Sequence, residues 1–204
     1  MKRDFISSLL FKKRIMAFSG LIGSSLLLTA CAGSWSSLSP LNWFSRTLEV
    51  SEQGVGEVNQ QTDMNLSAIQ QGLDNRYRLR SGMEIKNGKF FNVIQGMEGN
   101  QVSIELSGLN NGKVDHIIIL DERVKTTWGT KIGTSFSTLY DKAYGACQRS
   151  DSLLTMQQEI VCIAPQSQNI NYIFTGTWDG SEELLPPDDV LKTWKISRII
   201  WKAK

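Results

Sequence analysis

Residues 83–120 read MEIKNGKFFNVIQGMEGNQVSIELSGLNNGKVDHIIIL, and their punctuation decides the fold. Apolar and polar residues alternate in short runs, the period of a strand with one buried face. Asn87-Gly88 and Asn111-Gly112 interrupt those runs. Each dipeptide supplies the positive backbone angles that tight hairpin turns require. Strands are expected at residues 83–86, 90–94, 102–106 and 114–120, with Glu98-Gly99-Asn100 joining two hairpins into a four-stranded meander.

Toward the N-terminus, residues 50–58 alternate around Gly54 and Gly56 and predict a first strand that tolerates a bulge or a close approach. Thr62 or Asp63 can cap a short helix that aligns Leu66, Ile69 and Leu73 on one face. Toward the C-terminus, Thr134 or Ser135 is expected to cap a helix over residues 135–144, with Phe136, Leu139, Tyr140, Ala143 and Tyr144 as its stripe and Gly145 as its left-handed end. Residues 159–163, 169–176 and 194–201 read as further strands, and residues 181–189, with Pro186-Pro187, as a loop. The sum is a mainly β domain, with antiparallel twisted sheets in a sandwich or partial barrel and two short helices. The alternative is an α+β fold in which both helices back one sheet.

The chain begins with an export pattern. Lys2, Arg3, Lys12, Lys13 and Arg14 precede a charge-free, mostly apolar stretch at residues 15–28. That stretch is shorter than the roughly 20 residues a spanning helix needs and fits a signal-peptide core. It ends Leu28-Thr29-Ala30-Cys31, an aliphatic residue and two small ones before cysteine, which looks like a bacterial lipobox. The expected organisation is a signal peptide at 1–30, a lipidated Cys31 with a flexible Ser-rich tether through residue 47, and one β-rich periplasmic domain at 48–204. In the tether, Trp43 and Phe44 are expected to pack onto the domain rather than rest among lipid headgroups. Multiple acyl chains on Cys31 would make anchoring stable. Ala32, in place of an aspartate, favours the periplasmic face of the outer membrane.

Removing the leader reverses the charge balance. The whole chain carries 22 basic and 20 acidic residues, and residues 31–204 keep 17 and 19. No basic surface remains to argue for nucleic acid. Two cysteines survive, Cys147 and Cys162; their spacing is not CxxC and His116 is the only histidine, so a disulfide formed in an oxidising compartment is the first reading.

Chemistry-bearing motifs are sparse, and no catalytic, metal or cofactor site is expected. His116 falls on a strand, and adjacent strand residues face opposite sides, so Asp115 and His116 are not expected to form a dyad. The run Gly129-Thr130-Lys131-Ile132-Gly133-Thr134 does not match a phosphate loop. Glu182-Glu183 and Asp188-Asp189 sit in the proline loop as solvated pairs. Tyr172 and Phe174 belong in a core, whereas Trp178 and Trp194 flank the loop. Arg76-Tyr77-Arg78-Leu79-Arg80 is the one local basic run. As a strand it puts Arg76, Arg78 and Arg80 on one face, a candidate partner-binding surface for phosphates or carboxylates, and Tyr77 and Leu79 on the other, the pattern any half-buried strand shares.

Several stretches carry a family resemblance: residues 50–57 (VSEQGVGE), 77–83 (YRLRSGM), 131–134 (KIGT), 145–148 (GACQ), Trp194-Lys195 and Ile199-Ile200-Trp201. Together they resemble the YfeY-like, sigma-E-regulated outer-membrane lipoproteins of enterobacteria, over nearly the whole chain after the leader. The resemblance implies an uncharacterised envelope lipoprotein with a mainly β domain, within a response to outer-membrane protein stress. It also implies pairing of the cysteines at Cys147 and Cys162, and it brings no catalytic residues. One departure is the longer n-region, with residues 5–11 ahead of the second basic cluster.

The expected function is a non-enzymatic binding or structural module, tethered to the membrane by its lipid and meeting an envelope protein or lipid partner. An enzyme acting on lipid or cell-wall material and a carrier of a small apolar ligand are the alternatives.

Overall fold

The computed structural model describes residues 47–150, 158–181 and 183–204, all within the compact unit Phe44–Lys204. The expected signal peptide, Cys31 and the tether through residue 46, with Trp43 and Phe44, lie outside the described residues, as does Glu182. Two sheets carry the fold. An eight-stranded antiparallel sheet has the order β4-β5-β6-β7-β12-β11-β10-β9, formed by β4 (Arg78–Lys86), β5 (Lys89–Glu98), β6 (Gln101–Leu109), β7 (His116–Ile119), β9 (Cys147–Arg149), β10 (Gln158–Ile163), β11 (Ile170–Gly176) and β12 (Lys195–Lys202). A small sheet, β3-β2-β1-β8, consists of two-residue strands: β1 (Glu49–Val50), β2 (Gly54–Val55), β3 (Val58–Asn59) and β8 (Lys125–Thr126). The architecture is mainly β and neither sheet closes into a barrel.

The meander forms as the turn chemistry requires. Asn87 and Gly88 take φ of 51° and 72° between Lys86 and Lys89, which pair across the hairpin. Gly99 (φ 58°) and Asn111 (φ 57°) serve the next two connections. Strand alternation then sends one row of side chains inward. Ile104, Ile119, Ile199, Tyr172 and Cys162 succeed one another across β6, β7, β12, β11 and β10, all essentially without solvent contact. At β9 the row ends on Cys147, directly opposite Cys162, and the two are joined as a disulfide with Cα atoms 4.0 Å apart.

Several elements differ from expectation. Residues 50–58 do not run as one strand: they fold into β1, β2 and β3, reversing at Gly54 and Gly56. A Cβ on Gly54 would lie 1.9 Å from the Val58 carbonyl oxygen, and Gly56 has φ of 60°. Helix α1 (Leu66–Gly72) is capped by Asn65, whose side chain accepts from the Ala68 N–H, because Thr62 and Asp63 are engaged elsewhere. The Thr62 hydroxyl accepts from the Asn59 N–H and Asp63 pairs with Lys113. Ile69 and Leu73 are buried as expected, while Leu66 stays largely exposed.

The helix expected over residues 135–144 is a single turn, α2 (Phe136–Leu139). Tyr140 is already extended (φ −137°, ψ 137°), its hydroxyl donating to the Ile163 carbonyl, and the Ala143 N–H donates to the Asp188 carboxylate. These long-range bonds take the backbone and side chains that helix continuation needs. A third helix, α3 (Asp188–Leu191), occupies the end of the expected proline loop. Pro187 precedes it and Asp188 and Asp189 fill its first turn, where carboxylates suit the unpaired N–H groups.

One core serves both sheets. Leu48, Val50, Val55 and Val58 from the small sheet cluster with Ile104, Ile117, Tyr172, Phe174 and Trp201 from the large one. The Trp201 indole N–H and the Asn169 amide both donate to the Glu52 carbonyl, tying the small sheet to the end of β12.

Candidate functional site

Strand β4 is the long free edge of the large sheet, bonded to β5 alone among the described residues. The opposite edge strand, β9, spans three residues. A long edge presents alternate backbone N–H and C=O groups to any strand that arrives. The expected arginine face maps onto this edge. Arg78 and Arg80 point outward while Tyr77 is buried and Leu79 half-buried, as strand alternation requires. Arg76 precedes the strand and lines a cleft of about 490 Å³ with Glu49, Glu57 and Asp74 instead of joining the other two arginines.

A network pins the base of β4. The Tyr77 hydroxyl donates to Asp121 at 2.8 Å, and Asp121 also accepts from the backbone N–H, Nε and Nη2 of Arg123 at 2.8–2.9 Å. Arg123 reaches on to Glu98 at the end of β5. The Arg123 bonds hold the Asp121 carboxyl at about 2, below the usual 3.8, against the opposing pull of burial. Burial, reinforced by the bond to Asp121, pushes the Tyr77 phenol up. Its chemistry is structural: a shared acceptor that fixes where the edge strand starts.

Beyond Leu79 the strand leaves the core. Every residue from Arg80 to Phe90 is exposed, including Met83 at 69%, Ile85 at 64% and Phe90 at 53%. The outward face carries a polar row: Arg80 Nε donates to Gln95 at 2.7 Å, and the Gln95 amide donates to Glu105 at 2.6 Å. Around this row lies a shallow depression shared with Met83, Glu84 and Val93. A second depression on the inward face is bounded by Met64, Leu66, Met83 and Ile94. The hairpin is thus open to contact from both sides.

Gln95 and Glu105 were not singled out from sequence, although a signal exists. Counting seven residues outward from each side of the Asn87-Gly88 turn puts Arg80 opposite Gln95, the register observed. The exposure of Met83, Ile85 and Phe90 has no such signal, because their alternation is the same as that of a buried strand.

Asp115 and His116 depart from expectation. Asp115 precedes β7, so the pleat does not separate the two side chains, and Oδ2 of Asp115 lies 2.7 Å from Nδ1 of His116. Both are over 40% exposed, and Ser107 lies opposite His116 on β6. Arg80 sits three strands away on the same sheet, about 14 Å at ordinary strand spacing. Trp194 is core and its ring covers Gly176; Trp178 packs at the core margin. Among the described residues, no cluster of three or more His, Cys, Asp or Glu is placed to hold a metal, and no helix is long and apolar enough to cross a membrane.

The class defined so far is a mainly β domain with an open antiparallel sheet and one exposed, arginine-bearing edge. Residues 32–203 match the family described as "Protein of unknown function (DUF1131)", and the chain belongs to that family. It is 43% identical over 181 residues to the "Uncharacterized protein YfeY" of Escherichia coli strain K12, covering 87% of this chain and 93% of that protein. Its structure is similar to the crystal structure of the uncharacterized protein yfeY from Escherichia coli, with a TM-score of 0.68 at 44% identity, over 76% of this chain and 99% of that one.

Proposed function

We propose that this chain is a lipoprotein of the outer membrane, held on the periplasmic face by acyl groups on Cys31, whose domain is a non-enzymatic binding module supporting envelope integrity under stress. The observation that carries the binding role is the exposed half of β4, where apolar Met83 and Ile85 stand in solvent on an open sheet edge. Such an edge is an invitation to pair, which folded proteins ordinarily cover or blunt. The anchor rests on the Leu28-Thr29-Ala30-Cys31 motif behind its apolar core. A binding role is favoured over catalysis by the separation of Arg80, three strands away, from the exposed Asp115–His116 pair.

The test combines labelling with complementation. Metabolic palmitate is expected to label the wild-type chain and not Cys31→Ala. A strain lacking the gene is expected to become sensitive to detergents and large antibiotics, restored by wild type but not by Cys31→Ala. Absence of label overturns the anchor, and unchanged sensitivity overturns the role.

A further inference from the structure

We infer that β4 is a self-complementary edge through which two copies of this chain pair antiparallel about Gly82, joining their eight-stranded sheets into one. The inference rests on reading β4 as the binding edge and names the partner of that edge. Arg78–Lys86 is nine residues long and Gly82 is its centre. A two-fold axis there sets Arg80 of one copy opposite Glu84 of the other, and does so twice. On the inward face the same register sets Leu79 opposite Ile85 and Ser81 opposite Met83, covering the two most exposed apolar residues of the strand. Opposite charges and apolar pairs facing one another are what stabilise antiparallel neighbours.

Local geometry suits this register. Apart from its chain neighbours, nothing lies within 4 Å of the position a Cβ on Gly82 would take, so the outward sheet face is open where the two copies meet. Glu84 of the second copy extends the existing Arg80–Gln95–Glu105 row to an acid–base–amide–acid ladder across the joined sheet. At the two ends Arg78 meets Lys86, but Lys86 already has Glu84 at 2.8 Å on its own strand. A slip by one residue breaks the ladder, since it turns every side chain to the opposite face.

Sedimentation equilibrium on residues 44–204, the unit that contains every core residue described above, tests the pairing. Wild type is expected to dimerise with concentration. Arg80→Glu and Glu84→Arg should each weaken association by tenfold or more, because each sets like charges opposite one another. An equimolar mixture of the two variants should recover it, since an acid then faces a base at both positions. A wild type that stays monomeric, a dimer indifferent to both variants, or a mixture no stronger than its components overturns the inference. Gly82→Cys, away from the charged pairs, is expected to crosslink to itself on mild oxidation, and Lys86→Cys is not; the reverse pattern overturns the register. A monomeric result leaves the Cys31 labelling and sensitivity outcomes as they stand, so the two readings fail separately.

Discussion

Asp121 accepts four hydrogen bonds from Tyr77 and Arg123, and its protonation is therefore coupled to folding. Its carboxyl titrates near 2 in the folded chain against 3.8 ordinarily, so the unfolded chain takes up the proton first. The stability this supplies is complete above about pH 4 and is lost as pH falls toward 2. Urea titrations across that window should show a decline on the order of 1 kcal/mol, allowing for solvent around Arg123, and Asp121→Asn should flatten it. At Gly176 the constraint is steric. A Cβ there would lie 2.2–2.4 Å from the Trp194 ring, so Gly176→Ala must displace a buried indole and should cost about 1–3 kcal/mol in the same assay. The sequence shows that Trp194 is large and Gly176 small, yet their contact closes the long connection from β11 through α3 to β12 and has no local signature.

Among elements, those governed by short-range chemistry were legible. The three hairpin connections of the meander follow from Asn-Gly and Gly-Asn pairs, and the placing of Arg78 and Arg80 on one shared face follows from period two alone. Elements decided by distant partners were not. Helix α2 stops at Leu139 because Tyr140 and Ala143 bond to Ile163 and Asp188, which lie 23 and 45 residues further along. The Asp115–His116 contact escapes the alternation rule because β7 starts at His116, two residues after the apolar run from Val114 begins. The Cys147–Cys162 bridge sits between paired strands, so its removal should act chiefly on the unfolded chain. Closing a loop of 15 residues contributes about 3 kcal/mol on the chain-entropy estimate. Thermal melts of Cys147→Ser/Cys162→Ser, or of wild type with reductant, should show a corresponding drop with native circular dichroism retained below the transition.

For the whole molecule, a shared core and the bonds from Trp201 and Asn169 to Glu52 make the small sheet dependent on the large one. Unfolding by denaturant should be one cooperative transition, with tryptophan fluorescence and far-ultraviolet dichroism coinciding; two separated transitions would show that the small sheet stands alone. The sequence by itself determined the strand-rich class, the meander, which side chains of β4 share a face, and the cysteine pair in a chain with one histidine. All of these depend on turn dihedrals, side-chain alternation or residue type, which act within a few positions. Tertiary structure alone decided that β4 is an edge and that its far half projects from the core. Alternation says which side chains share a face, but only the packing of the other strands says whether anything covers that face.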